Sequence, residues 1–143
     1  MKSEYRSACP ISSALDIIGD KWSLLLVRDM LTAKKKTFKE FAGSSEGIAP
    51  GILSSRLKWL ERNGLLTKRK LAKNRKENVY LLTEKGIELA PVVFELLQWS
   101  LRNLRSEHPA MPTLEDLGLH RQVPNSAIAI QDGYRAFVAE ILG

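Results

Sequence analysis

The sequence of 143 residues has few of the features that mark secreted or membrane-spanning proteins. It contains one cysteine, Cys9, which excludes an internal disulfide bond and agrees with a reducing compartment. An aliphatic run such as Leu24–Val27 is far shorter than the roughly 20 residues that span a membrane. Asp16 interrupts the only N-terminal apolar stretch that resembles a signal peptide. We therefore expect a cytoplasmic protein with no membrane association.

Patterns typical of enzymes and metal-binding proteins are also missing. The two histidines, His108 and His120, have neither cysteines nor carboxylates at the spacing of metal ligands. There is no glycine-rich phosphate loop, and no serine, histidine and aspartate set with a meaningful spacing. The hydrophobic fraction of 44% and charged fraction of 27% are typical of a globular domain. We therefore predict that the protein is not an enzyme and has no metal or cofactor.

Positive charge is concentrated in the middle of the chain. Residues 34–86 hold fourteen basic and five acidic side chains, whereas the whole chain has a net charge of only +6. Residues 68–76 alone hold six cations and no anion. Because general basicity would be spread along the chain, this block favours one face that meets an anionic partner. The alternative is a solvated basic surface without a partner.

Hydrophobic periodicity and capping residues predict five or six helical segments and one hairpin. Ser13 with Asp16, and Thr37 with Glu40, have the spacing of capping boxes, and Asp20 is placed to cap a second helix. Before the hairpin we expect a short helix from Ser13 to Gly19 and helices over 21–31, 37–43 (with Phe38 and Phe41 inward) and 50–63. The hairpin consists of extended runs at 65–71 and 78–82 joined by residues 72–77. After it we expect a helix over 83–104 that kinks or restarts at Pro91, a short helix at 114–117 and a last helix at 132–142.

This order of elements is that of a winged helix-turn-helix, a mainly α fold with a two-stranded β wing. The helix over 50–63 would be the second helix of the motif, which lies in the DNA major groove. Its outward side chains are small or flexible enough to enter the groove, and the basic hairpin could follow the phosphate backbone or enter the minor groove. The predicted DNA-binding residues are Pro50, Gly51, Ser54, Ser55, Arg56 and Lys58 in the helix and Lys73, Asn74, Arg75 and Lys76 in the wing.

The roles of four basic residues remain open between DNA contact and a place elsewhere in the protein. Arg56 lies on the flank of the recognition helix, where it could contact a phosphate or pair with an acidic residue of the protein. Lys34, Lys35 and Lys36 could supply a phosphate patch at the entrance to the motif, or form a flexible charged connector.

The segment 92–101 is apolar nearly all round, which is incompatible with a surface helix of a monomer and predicts a second subunit.

Several motifs, taken in order and spacing, resemble the HxlR-type regulators, which are winged-helix bacterial transcription factors. The matching runs are Cys9-Pro10, ALDIIGDKWSLLLVRDML, TFKEF, GIAPGILSSRLKWLERNGLL, VYLLTEKG and LAPVVFELLQW, so the resemblance covers Cys9 to about Leu104. It implies a homodimer that binds near-palindromic operator DNA, usually as a repressor, and that is built from the N-terminal helices and the helix after the wing. The dimer residues that it implies here are Ala14, Leu15, Ile18, Val92, Val93, Leu96, Leu97 and Trp99.

The resemblance also concerns Cys9, because one branch of the family senses oxidants or electrophiles through a cysteine in this position. Cys9 precedes Pro10 in an extended arm, and Arg6 lies close in sequence, where its charge would favour the reactive thiolate. The alternative is a small buried hydrophobic residue. Gly51 stands where many relatives carry a polar residue, and the resemblance does not extend to the tail beyond Leu104.

We therefore predict that residues 1–104 form a winged helix-turn-helix domain for DNA binding and dimerisation, with residues 105–143 as a C-terminal extension packed on it. The predicted function is a sequence-specific transcriptional regulator, usually a repressor, that binds double-stranded DNA as a homodimer in the cytoplasm, associated with the nucleoid. A small molecule or oxidant is its expected effector. The alternative is a winged-helix protein-interaction module, which salt-dependent binding to duplex DNA would distinguish.

Overall fold

The computed structural model describes residues 5–118 and 123–143, which form a mainly helical structure with one two-stranded antiparallel sheet. The elements are α1 (Pro10–Ile18), α2 (Ser23–Ala33), α3 (Phe38–Ala42), α4 (Pro50–Arg62), β1 (Leu66–Leu71), β2 (Asn74–Leu82), α5 (Glu84–Ile87), α6 (Ala90–Asn103) and α7 (Val123–Leu142). This order confirms the predicted winged helix-turn-helix, with α3 and α4 as its helix pair and β1 and β2 as its wing.

The first two helices begin at positions other than those predicted. Pro10 is the first residue of α1, so Ser13 lies inside that helix and the capping box at Ser13 was wrong. A proline suits the first position of a helix because the backbone N–H of that position has no partner within the helix, so its absence costs nothing. The N-cap residue of α2 is Trp22 and not Asp20, but Oδ2 of Asp20 accepts hydrogen bonds from the backbone amides of Trp22, at 3.0 Å, and Ser23, at 2.9 Å, at the start of the helix. The helix itself starts at Ser23 and ends at Ala33.

The helix pair of the motif follows the sequence pattern closely. The hydroxyl of Thr37 accepts a hydrogen bond from the amide of Glu40, and the Glu40 carboxylate accepts one from the amide of Thr37, so this capping box is confirmed. Phe41 is completely buried, but Phe38 is 37% exposed, because the first position of a five-residue helix lies at its open end. Its inward placement was therefore wrong. Pro50 is the first residue of α4, as expected.

The wing is longer than predicted. Strands β1 and β2 pair from Leu66 opposite Leu82 to Lys70 opposite Asn78, and after a shift in register Leu71 lies opposite Asn74. Residues 74–77 therefore belong to the irregular end of β2 and not to a loop. Only residues 72 and 73 form the turn. The charged side chains suggested a connector, but a strand pairs through its backbone amides and carbonyls whatever side chains it carries.

The elements after the wing differ from the prediction in two respects. The chain restarts at α6, with Pro91 in its first turn, which was one of the two alternatives. Residues 114–118 form turns and not a helix, so that predicted element was wrong. The last helix, α7, is 20 residues long and starts nine positions earlier than predicted, because packing on the other helices outweighs its weak N-terminal helix propensity.

The core lies between the motif, α2, the base of the wing, α6 and α7. It is built from side chains that include Met30, Phe41, Leu53, Leu60 and Tyr134, none of them more than 1% exposed. Helix α7 packs on α6 and α2. Within the described ranges, no helix is both long and apolar enough to span a membrane.

Candidate nucleic-acid interface

Helix α4 has one buried and one exposed face. Leu53, Leu57 and Leu60 are at most 2% exposed and fix the helix against the core. On the other side, a shallow depression of about 360 Å³ is lined by Gly51, Ser54, Ser55, Arg56, Lys58, Trp59 and Arg62. A Cβ added at Gly51 would meet nothing within 4 Å, so no packing within the protein requires glycine there. The exposed face of α4 therefore has room for close approach by a partner.

Ile52 is a residue of this face that sequence reasoning missed. Its side chain is 43% exposed beside Gly51 and Ser55, near the start of α4. An apolar side chain at this place suits the C5-methyl group of thymine, which the major groove displays. The signal in the sequence was its position one residue before the buried Leu53, which puts it outside the apolar stripe of the helix.

Arg56 is joined to the scaffold. Its Nη1 lies 3.5 Å from Oδ1 of Asp20, and its guanidinium lies 5.5 Å from the ring centre of Trp59. Burial acts to raise the pKa of Asp20, but hydrogen bonds from Ser23 and Trp22 and the charge of Arg56 outweigh it, so the pKa is lowered overall. Trp59 in turn donates a hydrogen bond from Nε1 to the carbonyl of Ile17, at 2.8 Å. Of the two alternatives for Arg56, the structure contains the ion pair.

An ion-pair network that the sequence did not indicate holds the turn between α3 and α4. Arg28 donates from Nη1 and Nη2 to the Glu46 carboxylate, both at 2.9 Å, and from Nε and Nη2 to Asp29. Lys35 and Ser44 also contact Asp29. The hydrogen bonds from Arg28 are the main reason that the pKa of Glu46 falls to about 2. The network thus fixes the turn that leads into α4.

The tip of the wing projects its cations into solvent. Lys73, Asn74, Arg75 and Lys76 are all exposed. The Asn74 side chain accepts a hydrogen bond from the amide of Lys76, at 3.2 Å, which shapes the tip. Lys68, Arg69 and Lys70 in β1 are exposed as well. The wing therefore presents an extended positive surface, as the charge pattern predicted.

Lys35 and Lys36, before α3, belong to the scaffold rather than to a flexible connector. Nζ of Lys35 contacts Ser44 at 2.9 Å and Asp29 at 3.4 Å. The backbone carbonyl of Lys36 accepts a hydrogen bond from the amide of Tyr80 at 2.7 Å, and its Nζ lies 6.0 Å from the ring centre of Phe137. Both residues are half-buried. They connect α2 to the wing and α7.

Comparison with known proteins agrees with this arrangement. Residues 17–108 match the family model of the HxlR-like helix-turn-helix. The chain belongs to this HxlR family. It is 32% identical to the HTH-type transcriptional regulator YybR of Bacillus subtilis over 68% of this chain and 78% of that protein. It is also 32% identical to the regulator YodB of the same organism, over 64% of this chain and 82% of YodB.

Solved structures support the same conclusion. The redox regulator HypR in its oxidized form covers 66% of this chain with a TM-score of 0.59, 32% identity and 97% of its own length aligned. The reduced form of YodB from B. subtilis covers 66% of this chain with a TM-score of 0.55, 32% identity and 92% of its own length aligned. This HxlR-family protein is thus a DNA-binding transcriptional regulator of the winged-helix type, with redox-responsive relatives.

The HxlR-family chain exposes apolar side chains on α1 and α6. Leu15 is 52% exposed and Ala14 is exposed on α1, together with Ile11 at 73%, which the sequence analysis did not single out. On α6 the exposed apolar residues are Val92, Leu96 and Trp99, at 39%, 50% and 52%. Val93 and Leu97 are half-buried against the core. Ile18, expected at the dimer surface, is only 8% exposed because it packs into the core of its own chain.

Cys9 is exposed at the start of α1 of the HxlR-family chain, so the alternative of a buried thiol was wrong. Its amide donates to the Ser7 hydroxyl at 3.2 Å, and its carbonyl accepts from the amide of Ser13 at 2.9 Å. Arg6 pairs through its Nε with the Asp16 carboxylate. The backbone hydrogen bond from Arg6 is the main reason that the pKa of Asp16 is lowered. Among the described residues, no cluster of His, Cys, Asp and Glu could hold a metal ion.

Proposed function

We propose that this protein is a repressor that binds near-palindromic operator DNA as a homodimer. The observation that carries the proposal is the exposed polar face of α4 beside a protruding wing with cations along its length. A helix of this kind enters the major groove, while the wing contacts phosphates or the minor groove. The DNA-binding residues are those predicted from the sequence, with Ile52 added and without Arg56, which pairs with Asp20. Such a regulator acts in the cytoplasm, on the nucleoid.

The apolar faces of α1 and α6 support the homodimer. Ile11 and Leu15 on one helix and Val92, Leu96 and Trp99 on the other are large side chains left exposed by a single chain. Exposed apolar patches of this kind mark protein contacts. A two-fold dimer through these helices would place two copies of α4 at half-sites about one helical turn of DNA apart.

The test of this function is selection of duplexes from a random pool, followed by affinity measurements over a range of salt concentrations. We expect a near-palindromic consensus, steep salt dependence and a dimer in sedimentation at micromolar concentration. Binding without sequence preference, or none at all, would favour the alternative of a protein-interaction module. A monomer that binds the selected operator with full affinity would exclude the dimer.

Regulation through Cys9 is a further part of the proposal. The thiol is exposed at the N-terminus of α1, next to the proposed dimer helices. Among the similar structures are YodB in diamide-treated and quinone-bound forms and HypR in oxidized and reduced forms. Since the chain has no second cysteine, modification here would give a disulfide to another subunit, a mixed disulfide with a small thiol, or an adduct with an electrophile.

Cys9→Ser is the variant that tests this regulation. Diamide or a quinone should weaken operator binding by the native protein and leave the serine variant unaffected. Mass spectrometry of the treated protein identifies which of the three products forms. Equal loss of binding in both proteins would show that the reagents act elsewhere and would exclude Cys9 as the sensor.

A further inference from the structure

A second cavity, remote from the exposed face of α4, lies between α2, α6, α7 and the segment 111–117. Its volume is about 600 Å³. The lining is mostly apolar, with Leu24 and Leu25 on one side and Phe94 and Leu97 on another. This size and lining fall within the range of small-molecule sites, which are concave and largely apolar with a few polar groups.

One wall of the cavity comes from outside the family domain. The match to the HxlR family model ends at residue 108, whereas Met111, Pro112, Leu117 and Ile130 all line the cavity. The C-terminal part of the chain therefore converts a groove between α2 and α6 into a site enclosed on several sides. A cavity built in this way can be particular to this chain.

The cavity and the proposed dimer surface meet on α6. Val93 and Leu97 line the cavity and are half-buried, Leu96 lines it and is 50% exposed, and Val92 and Trp99 do not line it. The cavity is concave and does not include the whole exposed apolar face of α6. Its shape therefore suits a small ligand better than the convex surface of a second subunit.

The charges around the cavity specify what kind of ligand fits. Its polar lining residues are Arg28, Thr32 and Ser100. The guanidinium of Arg28 is already paired with Asp29 and Glu46, and Lys35 adds a further contact to Asp29. The site therefore has no unpaired positive charge that could bind the carboxylate of an acidic ligand, and an unpaired anion is costly to bury among apolar side chains. The hydroxyl groups nearby suit a single hydrogen-bonding group.

We infer that this cavity is an effector site for a small, neutral, mostly apolar compound that carries one hydroxyl or carbonyl group. The inference rests on the proposed function as a regulated repressor, for which it names a ligand site and a ligand class. It is independent of the thiol at Cys9, since that residue does not line the cavity.

Two structural connections would carry the effect of the ligand to the DNA surface. Arg28 lines the cavity and holds Glu46 in the turn before α4. Ile130 lines the cavity one helical turn before Tyr134, whose hydroxyl is bonded to the end of β2. A ligand that shifts α2 or α7 therefore displaces the turn before α4 or the base of the wing.

The test is calorimetric titration of the full chain, without DNA, with 2-naphthol and with 2-naphthoate at pH 7.5. These probes share a ring system and differ in charge, and we expect the neutral one to bind at least about tenfold more tightly. Leu25→Trp and Ser100→Trp each fill the cavity from a different wall and should abolish binding. Glu95→Trp adds the same side chain to an exposed position of α6 and should preserve it. Thermal unfolding checks that each variant is folded.

Three results would overturn the inference: no binding of 2-naphthol, equal binding of the anion, or binding that survives both filling variants. Sedimentation of the same variants distinguishes a further case. If filling the cavity dissociates the dimer and the native protein binds no 2-naphthol, the groove is a contact between two copies of the chain. Because these titrations contain no DNA, they remain valid even if operator binding fails.

Discussion

The hydroxyl oxygen of Tyr134 in α7 accepts a hydrogen bond from the backbone amide of Leu82 at the end of β2, at 2.8 Å. Both residues are buried, and they are 52 positions apart in the sequence. Burial raises the pKa of Tyr134 to about 12, and the hydrogen bond from Leu82 offsets part of that effect. The C-terminal helix is thereby joined to the base of the wing at a point where water has no access.

Replacing Tyr134 by phenylalanine should destabilise the protein and loosen the base of the wing. The substitution keeps the ring but leaves the buried amide of Leu82 without its acceptor, at a cost of about 1–3 kcal/mol in the free energy of unfolding. Urea unfolding measures this loss. Tyr80→Phe, which removes a hydroxyl from the side chain of a half-buried residue of the same strand, is the matched control and should cost less. Equal costs would show that the bond to Leu82 contributes nothing specific.

The raised pKa of Tyr134 also predicts instability in alkali. The folded protein keeps this phenol protonated up to a pKa of about 12, whereas the unfolded chain releases the proton near its ordinary value of 10. Its contribution is therefore complete below about pH 10 and is lost between about pH 10 and 12, by about 2–3 kcal/mol in total. The difference in unfolding free energy between native protein and Tyr134→Phe should narrow over that interval. A constant difference would contradict the assignment.

The sequence predicted elements correctly where the signals are local. The capping box of Thr37 and Glu40 and the proline at the start of α4 depend on residues within one helical turn, so pattern and structure agree. The apolar stripe of Leu53, Leu57 and Leu60 also identified the buried face of α4. The exposed positions of Gly51 and Ser55 followed directly from that stripe.

The errors arise where contacts distant in sequence decide the structure. Arg28 and Glu46 are 18 positions apart, and no periodicity relates them, so the network at the turn before α4 could not be predicted. The full length of α7 depends in the same way on packing of Ala127 and Tyr134 against the core. The extent of the wing was underestimated because its charged residues resemble a loop, although they continue β2 through a shift in the strand register.

The pair formed by Arg28 and Glu46 predicts a loss of stability in acid. Its hydrogen bonds lower the pKa of Glu46 from the ordinary 4.5 to about 2 in the folded protein. A carboxylate with a lowered folded pKa stabilises the fold above about pH 4.5 and loses that contribution as the pH falls towards 2. Because Glu46 is partly exposed, solvent screening limits the effect to about 1 kcal/mol or less.

Glu46→Gln is the variant that isolates this effect. It should remove part of the decrease in stability between pH 4.5 and 2, while Glu95→Gln, which changes an exposed carboxylate on α6, should retain it. Chemical unfolding at a series of pH values supplies the measurement. If both variants follow the native pH profile, Glu46 has no part in acid stability.

The last prediction concerns the different roles of α4 and the wing in DNA binding. Ser55 and Lys58 are exposed on the helix that would face base edges, whereas Arg75 and Lys76 are exposed on the wing. Ser55→Ala and Lys58→Ala should change which base pairs are preferred at single operator positions, by about 1–3 kcal/mol per direct contact. Selection from a random duplex pool, followed by titration of single-base operator variants, measures this preference.

Arg75→Ala and Lys76→Ala should behave differently, because a phosphate presents the same charge in every sequence. Each should weaken all operators alike and reduce the slope of log affinity against log salt by about one unit. Arg102→Ala removes an exposed cation from α6, away from the proposed DNA surface, and is the control for a general loss of positive charge. If the wing variants alter base preference while the helix variants alter only the salt slope, the two elements have exchanged roles, and β1 and β2 would read the sequence that α4 was expected to read.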